Sequence, residues 1–417
     1  MTRAHRPPEA AGTFGRAPGA LPPPFSPLSA LGAAALVVVV WLLLHVGWYP
    51  HGQIVDYPVY RAYGDAIVHR HAVPYRDFRL EYQPAALPFF AIPAALEGHD
   101  FRTVFQALMA LCHLALVLAV LRTRGRAAAA AAALAPLLLG SVVLSRFDLW
   151  PAALAAGALW LLVRGNPPES AVVLATGFAA KLWPAVLAPV VCIWLWRREG
   201  RRAVAVWAGT ALATAAAWFL PFLVVGARGV GHSFYLQLAR PLQIESLGAT
   251  IFVAFHNIAG IGTGVVSNFG SQNVAGPGVH EITLATTALE LLAIVACWVL
   301  FVRGEPTFDR LLVACAASTT ALLAFGKVFS PQYMIWLFAL VPLAGRLVPL
   351  AVYGIGLVLT QVYFPRRYWE LATGLYRLEV GIVLLRDLAV VALLCVLLYA
   401  LQGSRATSRE AASAAVS

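Results

Sequence analysis

Residues 170–202 read SAVVLATGFAAKLWPAVLAPVVCIWLWRREGRR, and this stretch decides the fold. Two apolar runs, roughly 170–181 and 184–196, are parted only by Lys181-Leu-Trp-Pro184 and close on Arg197-Arg-Glu-Gly-Arg-Arg202. Each run is shorter than the roughly 20 residues that span a bilayer unaided. Read as one crossing, the stretch reverses every later loop and puts the arginine-rich ends on the wrong side. Read as a tight hairpin with Lys181 at its outer tip, it keeps Arg197–Arg202 on the same side as Arg122-Thr-Arg-Gly-Arg126. Basic residues in short loops are held in the cytoplasm, so the hairpin is the consistent reading.

The rest of the chain agrees. It has 417 residues, is 60% hydrophobic and only 12% charged, with a mean hydropathy of +0.77. A soluble domain carries about 25% charged residues. The expected fold is an all-α polytopic membrane protein, a bundle of about twelve crossings with a range of ten to thirteen. The segments are 28–48, 102–121, 127–144, 149–163, 170–181, 184–196, 203–225, 281–302, 311–325, 333–345, 347–362 and 378–401. Several are short enough to be broken helices packed inside the protein. Leu28–Trp48 lacks a small-residue cleavage pattern and reads as a retained first helix. One membrane domain, 28–401, lies between tails at 1–27 and 402–417 whose Pro, Gly, Ala and Arg content predicts disorder.

A net charge of +11 and a pI near 9.8 are topogenic on this reading, and no nucleic-acid partner is expected. The five cysteines sit in apolar runs without metal-ligand spacing. Two outer segments are long. Residues 49–101 carry Asp56, Asp65, Asp77 and Glu81 among Tyr, Pro, Arg and His, with Val59, Tyr60, Tyr63 and Ile67 near helical spacing and an apolar stretch at 85–96. Both pieces are expected to lie along the membrane surface as amphipathic helices. Residues 226–280 begin with short helices at 233–239 and 247–258 and end in a loop rich in Gly, Ser and Asn.

Asp56 follows the first helix at the outer surface, where a carboxylate can take a proton from an attacking hydroxyl. A solvated loop acid or a helix cap would fit the same position. Arg146, Lys181, Arg240 and Lys327 each stand beside an apolar helix in otherwise uncharged surroundings, where a lone charge is costly. A lipid phosphate would partner them; so would Asp148, Glu245 or an ordinary headgroup. Arg386-Asp387 lies within the last apolar run, and sequence neighbours on a helix point apart, so it reads as structural. His45 and His113 read as packed helix histidines. No metal motif, phosphate-cradling glycine loop or nucleophile elbow occurs in a supporting context, and neither a cofactor nor a metal is required.

Taken in order, Asp56-Tyr-Pro-Val-Tyr60, Val73-Pro-Tyr75, Tyr82-Gln-Pro84, Phe178-Ala-Ala-Lys-Leu-Trp-Pro184, Arg240-Pro-Leu-Gln-Ile-Glu-Ser246 and Lys327-Val-Phe-Ser-Pro-Gln-Tyr333 form a set. Through them the chain, over about residues 30–400, resembles the GT-C membrane glycosyltransferases, in particular the bacterial polyprenyl-phosphate-mannose-dependent alpha-mannosyltransferases of glycosyltransferase family 87. The resemblance implies an inverting transfer, most simply of mannose, from a polyprenyl-phosphate donor to a glycolipid or glycan acceptor at the outer face of the plasma membrane. Asp56 matches the first-loop catalytic base, with Asp65 as runner-up. Arg146, Lys181, Arg240 and Lys327, with Gln332 and Tyr333, would hold the leaving phosphate; Tyr60 or Glu245 would orient the acceptor. A lipid flippase or secondary transporter is the alternative, though such folds show repeats and mid-membrane charges that this sequence lacks. A noncatalytic envelope scaffold would leave the acidic, aromatic first loop without a use.

Overall fold

The computed structural model describes residues 26–46, 49, 53–96, 98–260 and 262–403. Apart from residues 26–27 and 402–403, the two tails lie outside them. The chain begins with α1 (Pro27–Leu44), whose start is fixed by the Ser26 hydroxyl accepting from Ser29 N and by proline in its first turn. Next come α2 (Tyr57–Val68), α3 (Pro88–Ala95), α4 (Phe101–Arg124), α5 (Arg126–Leu139), α6 (Val142–Ser145), α7 (Leu149–Val163), α8 (Pro167–Ala180) and α9 (Ala188–Glu199). The 38-residue α10 (Arg201–Leu238) leads to α11 (Leu247–Ala259) and a hairpin of β1 (Gly264–Asn268) and β2 (Ser271–Ala275). The chain ends with α12 (Val279–Val302), α13 (Phe308–Phe325), α14 (Leu337–Ala344), α15 (Leu347–Tyr363), α16 (Tyr368–Gly374) and α17 (Arg377–Gly403).

Each of the twelve apolar segments is occupied by a helix. By length and composition, six described helices can cross a membrane alone: α1, α4, α10, α12, α13 and α17. The pair α15 and α16, bent by 72°, makes a seventh if it is one span. The protein is an all-α multi-pass membrane protein. Its long and short helices have different places. In α10 only 6% of the apolar stretch is buried, against 78% in α13. All eight residues of α14 are buried. The short α14 is therefore wrapped by protein, where its uncompensated ends meet partners rather than lipid, whereas the short α11 exposes Phe255 and Ile258.

Alanine explains the tight centre. Ala152, Ala153, Ala155, Ala156 and Ala158 of α7 are all buried, and small side chains let helix backbones approach where no hydrophobic gain separates protein from lipid. At the arginine-rich end the turns are minimal. Gly125 (φ 94°) and Gly200 (φ 87°) each form the whole link between two helices, a positive-φ conformation that costs a side chain but not glycine. The arginines there also bond to protein. Arg124 Nη1 pairs with Asp309 at 2.5 Å and its Nε donates to Leu343 O at 2.9 Å. Arg197 donates to Val302 O at 2.8 Å and to Gly304 O at the end of α12, the helix terminus that favours a cation.

At the other end, residues 49–101 contribute α2 and α3, which pack face to face; α2 has the expected amphipathic pattern, whereas α3, with the sequence PFFAIPAA, is apolar on all sides and so corrects the amphipathic reading there. Tyr60 stacks on Phe90 at 4.8 Å, and Gly64 lies so close to α3 that a Cβ would collide with the Phe90 carbonyl. The helix expected at 233–239 is instead the end of α10, which kinks at Gly226 (φ −155°, ψ 44°). At about 57 Å, α10 is longer than a bilayer core. Its last turns clamp the loop 69–83, since a Cβ on Gly226 or Gly229 would strike the Tyr75 backbone. Gly229→Val is expected to push this loop outward and destabilise the protein by about 1–3 kcal/mol; an unchanged melting temperature would refute the clamp.

The expected loop at 260–278 contains the hairpin. Its β2 edge continues onto residues 242–244, with Val274 N donating to Leu242 O at 2.9 Å and Ile244 N to Gln272 O at 3.0 Å. The reading of Arg386 and Asp387 as pointing apart is also corrected. Arg386 Nε meets Asp387 Oδ1 at 2.8 Å, both fully buried. The guanidinium curls back because it is held from its other sides by Glu245 O at 2.6 Å and the Phe329 ring at 3.9 Å.

Candidate active site

A cavity of about 210 Å³ opens at the end of the bundle opposite the arginine-rich turns. Among the residues lining it are Asp56, Glu81, Arg146, Lys181, Arg240, Glu245, Gln332 and Tyr333. The charged groups come from separate segments and are already paired. Arg146 holds Asp56 and also donates to Ile54 O at 2.9 Å. Arg240 holds Glu81, to which Gln237 Nε2 adds a bond of 3.3 Å. Lys181 Nζ lies 2.6 Å from Asp148 Oδ1, inside a cage of Phe147, Tyr333 and Trp336 rings at 5.1, 5.3 and 5.5 Å.

Local structure places each. Asp56 stands at the N-cap position of α2, yet its side chain makes no capping bond. It turns toward Arg146 and accepts from Tyr60 Oη at 3.3 Å. Arg146 has extended backbone between α6 and α7, as does Lys181 after α8, so both side chains leave helix ends directly into the cavity. Arg146 Nε and Arg240 Nε are buried with no hydrogen-bond partner among the described residues. Buried guanidinium nitrogens in this condition are donors suited to a phosphate oxygen.

Seven of the nine residues singled out in the sequence line this cavity: Asp56, Arg146, Lys181, Arg240, Gln332, Tyr333 and Glu245. The other two do not. Tyr60 is 1% exposed in an aromatic cluster and reaches the site only through its hydroxyl on Asp56. Lys327 spends its ammonium on Leu238 O at 2.7 Å, at the end of α10, while its carbonyl accepts from Gln243 N. Asp65 faces Arg61 at 3.7 Å on an exposed stretch of α2.

The sequence profile of glycosyltransferase family 87 matches residues 80–331. The chain belongs to glycosyltransferase family 87. No curated protein matches it as a relative. The matched stretch of the glycosyltransferase takes in Glu81, Arg146, Asp148, Lys181, Arg240 and Glu245. Asp56 and Tyr333 fall outside it and join the cavity through the fold alone.

Sequence reasoning did not single out Glu81 or Asp148 as site residues of the transferase, although Asp148 was open as a partner for a cation. Each has an arginine two residues before it, Arg79 and Arg146, so the sequence offers a local partner and hides the cation that folding supplies. Glu245 forms the cavity floor, accepting from Tyr363 Oη and Gln243 Nε2, both at 2.8 Å. Burial pushes its carboxyl up to about 7 from an ordinary 4.5, against the lowering pull of Arg386. A carboxyl raised on folding stabilises the fold most below its unfolded value. That contribution is lost as pH climbs through its folded value. The glycosyltransferase is thus expected to lose thermal stability between pH 4.5 and about 7, and Glu245→Gln to flatten that part of the profile. Parallel profiles for the two proteins would contradict this.

Proposed function

We propose that this family 87 glycosyltransferase moves a sugar, most simply mannose, from a polyprenyl-phosphate donor to a lipid-linked or envelope glycan acceptor at the outer face of the plasma membrane. The observation that carries the reading is the convergence of Arg146, Lys181 and Arg240 with the Asp56 carboxylate in one cavity, opposite the arginine-rich turns that positive-inside topology assigns to the cytoplasm.

The acceptor hydroxyl attacks the anomeric carbon while Asp56 takes its proton. The new carbon–oxygen bond forms on one face as the bond to the phosphate oxygen breaks on the other, so configuration inverts. The bonding electrons leave with polyprenyl phosphate. Charge growing on that phosphate is met by Arg146, Lys181 and Arg240, which are held in place before the reaction and need little reorganisation. Gln332 and Tyr333 line the same wall, and Glu245 offers a hydrogen-bonding group to the acceptor from the floor. No metal or cofactor enters this scheme. Entry of the donor phosphate gives Arg146 a second anion, which loosens its hold on Asp56 and frees the base when it is needed.

Membranes containing the protein, given labelled polyprenyl-phosphate mannose and a lipid extract, are expected to pass label to a glycolipid or glycan. Failure to transfer label from any polyprenyl-phosphate sugar, alongside faster lipid movement between leaflets, would overturn the reading in favour of a flippase.

A further inference from the structure

The tip of the β1–β2 hairpin hangs over the cavity mouth. Gly270 and Ser271 line the cavity, and a Cβ on Gly270 would stand 3.7 Å from Glu81 Oε2. The two turn residues are Phe269 (φ 50°) and Gly270 (φ 68°). Two-residue hairpin turns with both φ positive favour Asn-Gly, and a bulky aromatic residue at the first position is an outlier. Local folding rules broken without a packing gain mark functional positions. Phe269 is not buried in the core. Its ring lies 6.2 Å from that of Tyr235, which is 55% exposed on α10 two residues before cavity-lining Gln237.

The surroundings differ from the cavity itself. No Asp, Glu, Lys or Arg occurs between Glu245 and Glu281. Flanking Phe269 in the chain are Ser267, Asn268, Ser271 and Gln272, neutral groups already bonded within the hairpin (Gln272 Nε2 donates to Ser267 Oγ at 3.0 Å, Ser271 Oγ to Asn273 Oδ1 at 3.1 Å, and Asn268 Oδ1 accepts from Asn273 Nδ2 at 2.7 Å), each with donor or acceptor capacity beyond that bond. Two aromatic faces beside amides and hydroxyls suit a ligand with weakly polarised C–H faces and hydroxyl edges. They give no reason for an anion to bind. A sugar ring has that chemistry.

We propose that Phe269 and Tyr235 form a saccharide subsite for the acceptor, stacking a sugar ring next to the one that receives the transferred residue. The subsite rests on the transferase reading above and adds to it a preference for acceptors of more than one sugar.

The test titrates the purified protein in lipid nanodiscs with octyl mannoside and octyl dimannoside, comparing wild type with Phe269→Asn and Tyr235→Ala. Phe269→Asn supplies the residue this turn favours, so it keeps the hairpin while removing the ring. The preference for dimannoside over mannoside is expected to fall by about three- to tenfold, the loss of one aromatic stacking contact. Equal binding by wild type and both variants, or no binding by any of them, would overturn the subsite. Equal binding is also the result if the rings rest in the bilayer. Transfer from labelled polyprenyl-phosphate mannose is read on the same samples. Binding that depends on Phe269 without transfer leaves the subsite standing and removes the donor reading; transfer with binding indifferent to Phe269 does the reverse.

Discussion

Asp56→Asn is expected to slow sugar transfer by about 100- to 10,000-fold, the range for loss of a positioned general base. Asparagine has the same shape and can still accept from Tyr60 or Arg146 through its one carbonyl oxygen, so the α2 entry should survive. What it cannot do is take a proton. The Arg146 side chain, 7% exposed, would lose its paired anion, and a donor phosphate entering the cavity would then restore the balance. Turnover and donor binding should therefore move apart: turnover collapses, while polyprenyl phosphate raises the melting temperature of the variant at least as much as that of wild type. Turnover within a few-fold of wild type would remove Asp56 from the mechanism. Weakened phosphate binding would make it a structural anchor instead.

The second large effect is at Lys181. Lys181→Met leaves Asp148, 1% exposed, with the Trp336 indole at 2.6 Å as its one remaining hydrogen-bond donor among the described residues and with the already paired Arg146 as the nearby positive charge. Breaking a buried pair from one side costs about 3–5 kcal/mol because the survivor is left charged and unpaired. Removing both charges together can be nearly neutral. Lys181→Met should accordingly melt well below wild type, and Lys181→Met with Asp148→Asn should recover most of that loss. Transfer should recover in neither, since the positive charge facing the phosphate is gone from both. A single variant as stable as wild type would contradict the buried pair; a double variant with restored transfer would free Lys181 from the phosphate role.

Much of this was legible in the sequence because a bilayer simplifies the code. Apolar runs and arginine clusters are long, local signals, and each run lies on a helix. Arg146, Lys181 and Arg240 stood out for the same reason, as cations standing beside apolar helices. Their partners were harder to read. Asp148 is 33 positions from Lys181, and Glu81 is 159 from Arg240, so only folding brings each pair together. Lys327 gave the same signal as the other three cations, yet a helix carbonyl took its charge. The hairpin escaped notice because Phe-Gly does not carry the Asn-Gly signature of its turn, and Gly-rich flanks read as loop. The last turns of α10 were split off because the kink at Gly226 looks, in sequence, like an end.

The single-residue turns at Gly125 and Gly200 have a consequence for handling the protein. A protease must draw out a run of extended chain, and fixed loops without slack resist that unless a helix turn first unravels. The turns at Gly125 and Gly200, despite the basic residues on either side of each, should therefore survive trypsin while the chain between α1 and α4, which carries Arg61, Arg70, Arg76 and Arg79, is nicked. Digesting sealed vesicles of each orientation would then report the sidedness of the whole bundle without any tag added to it.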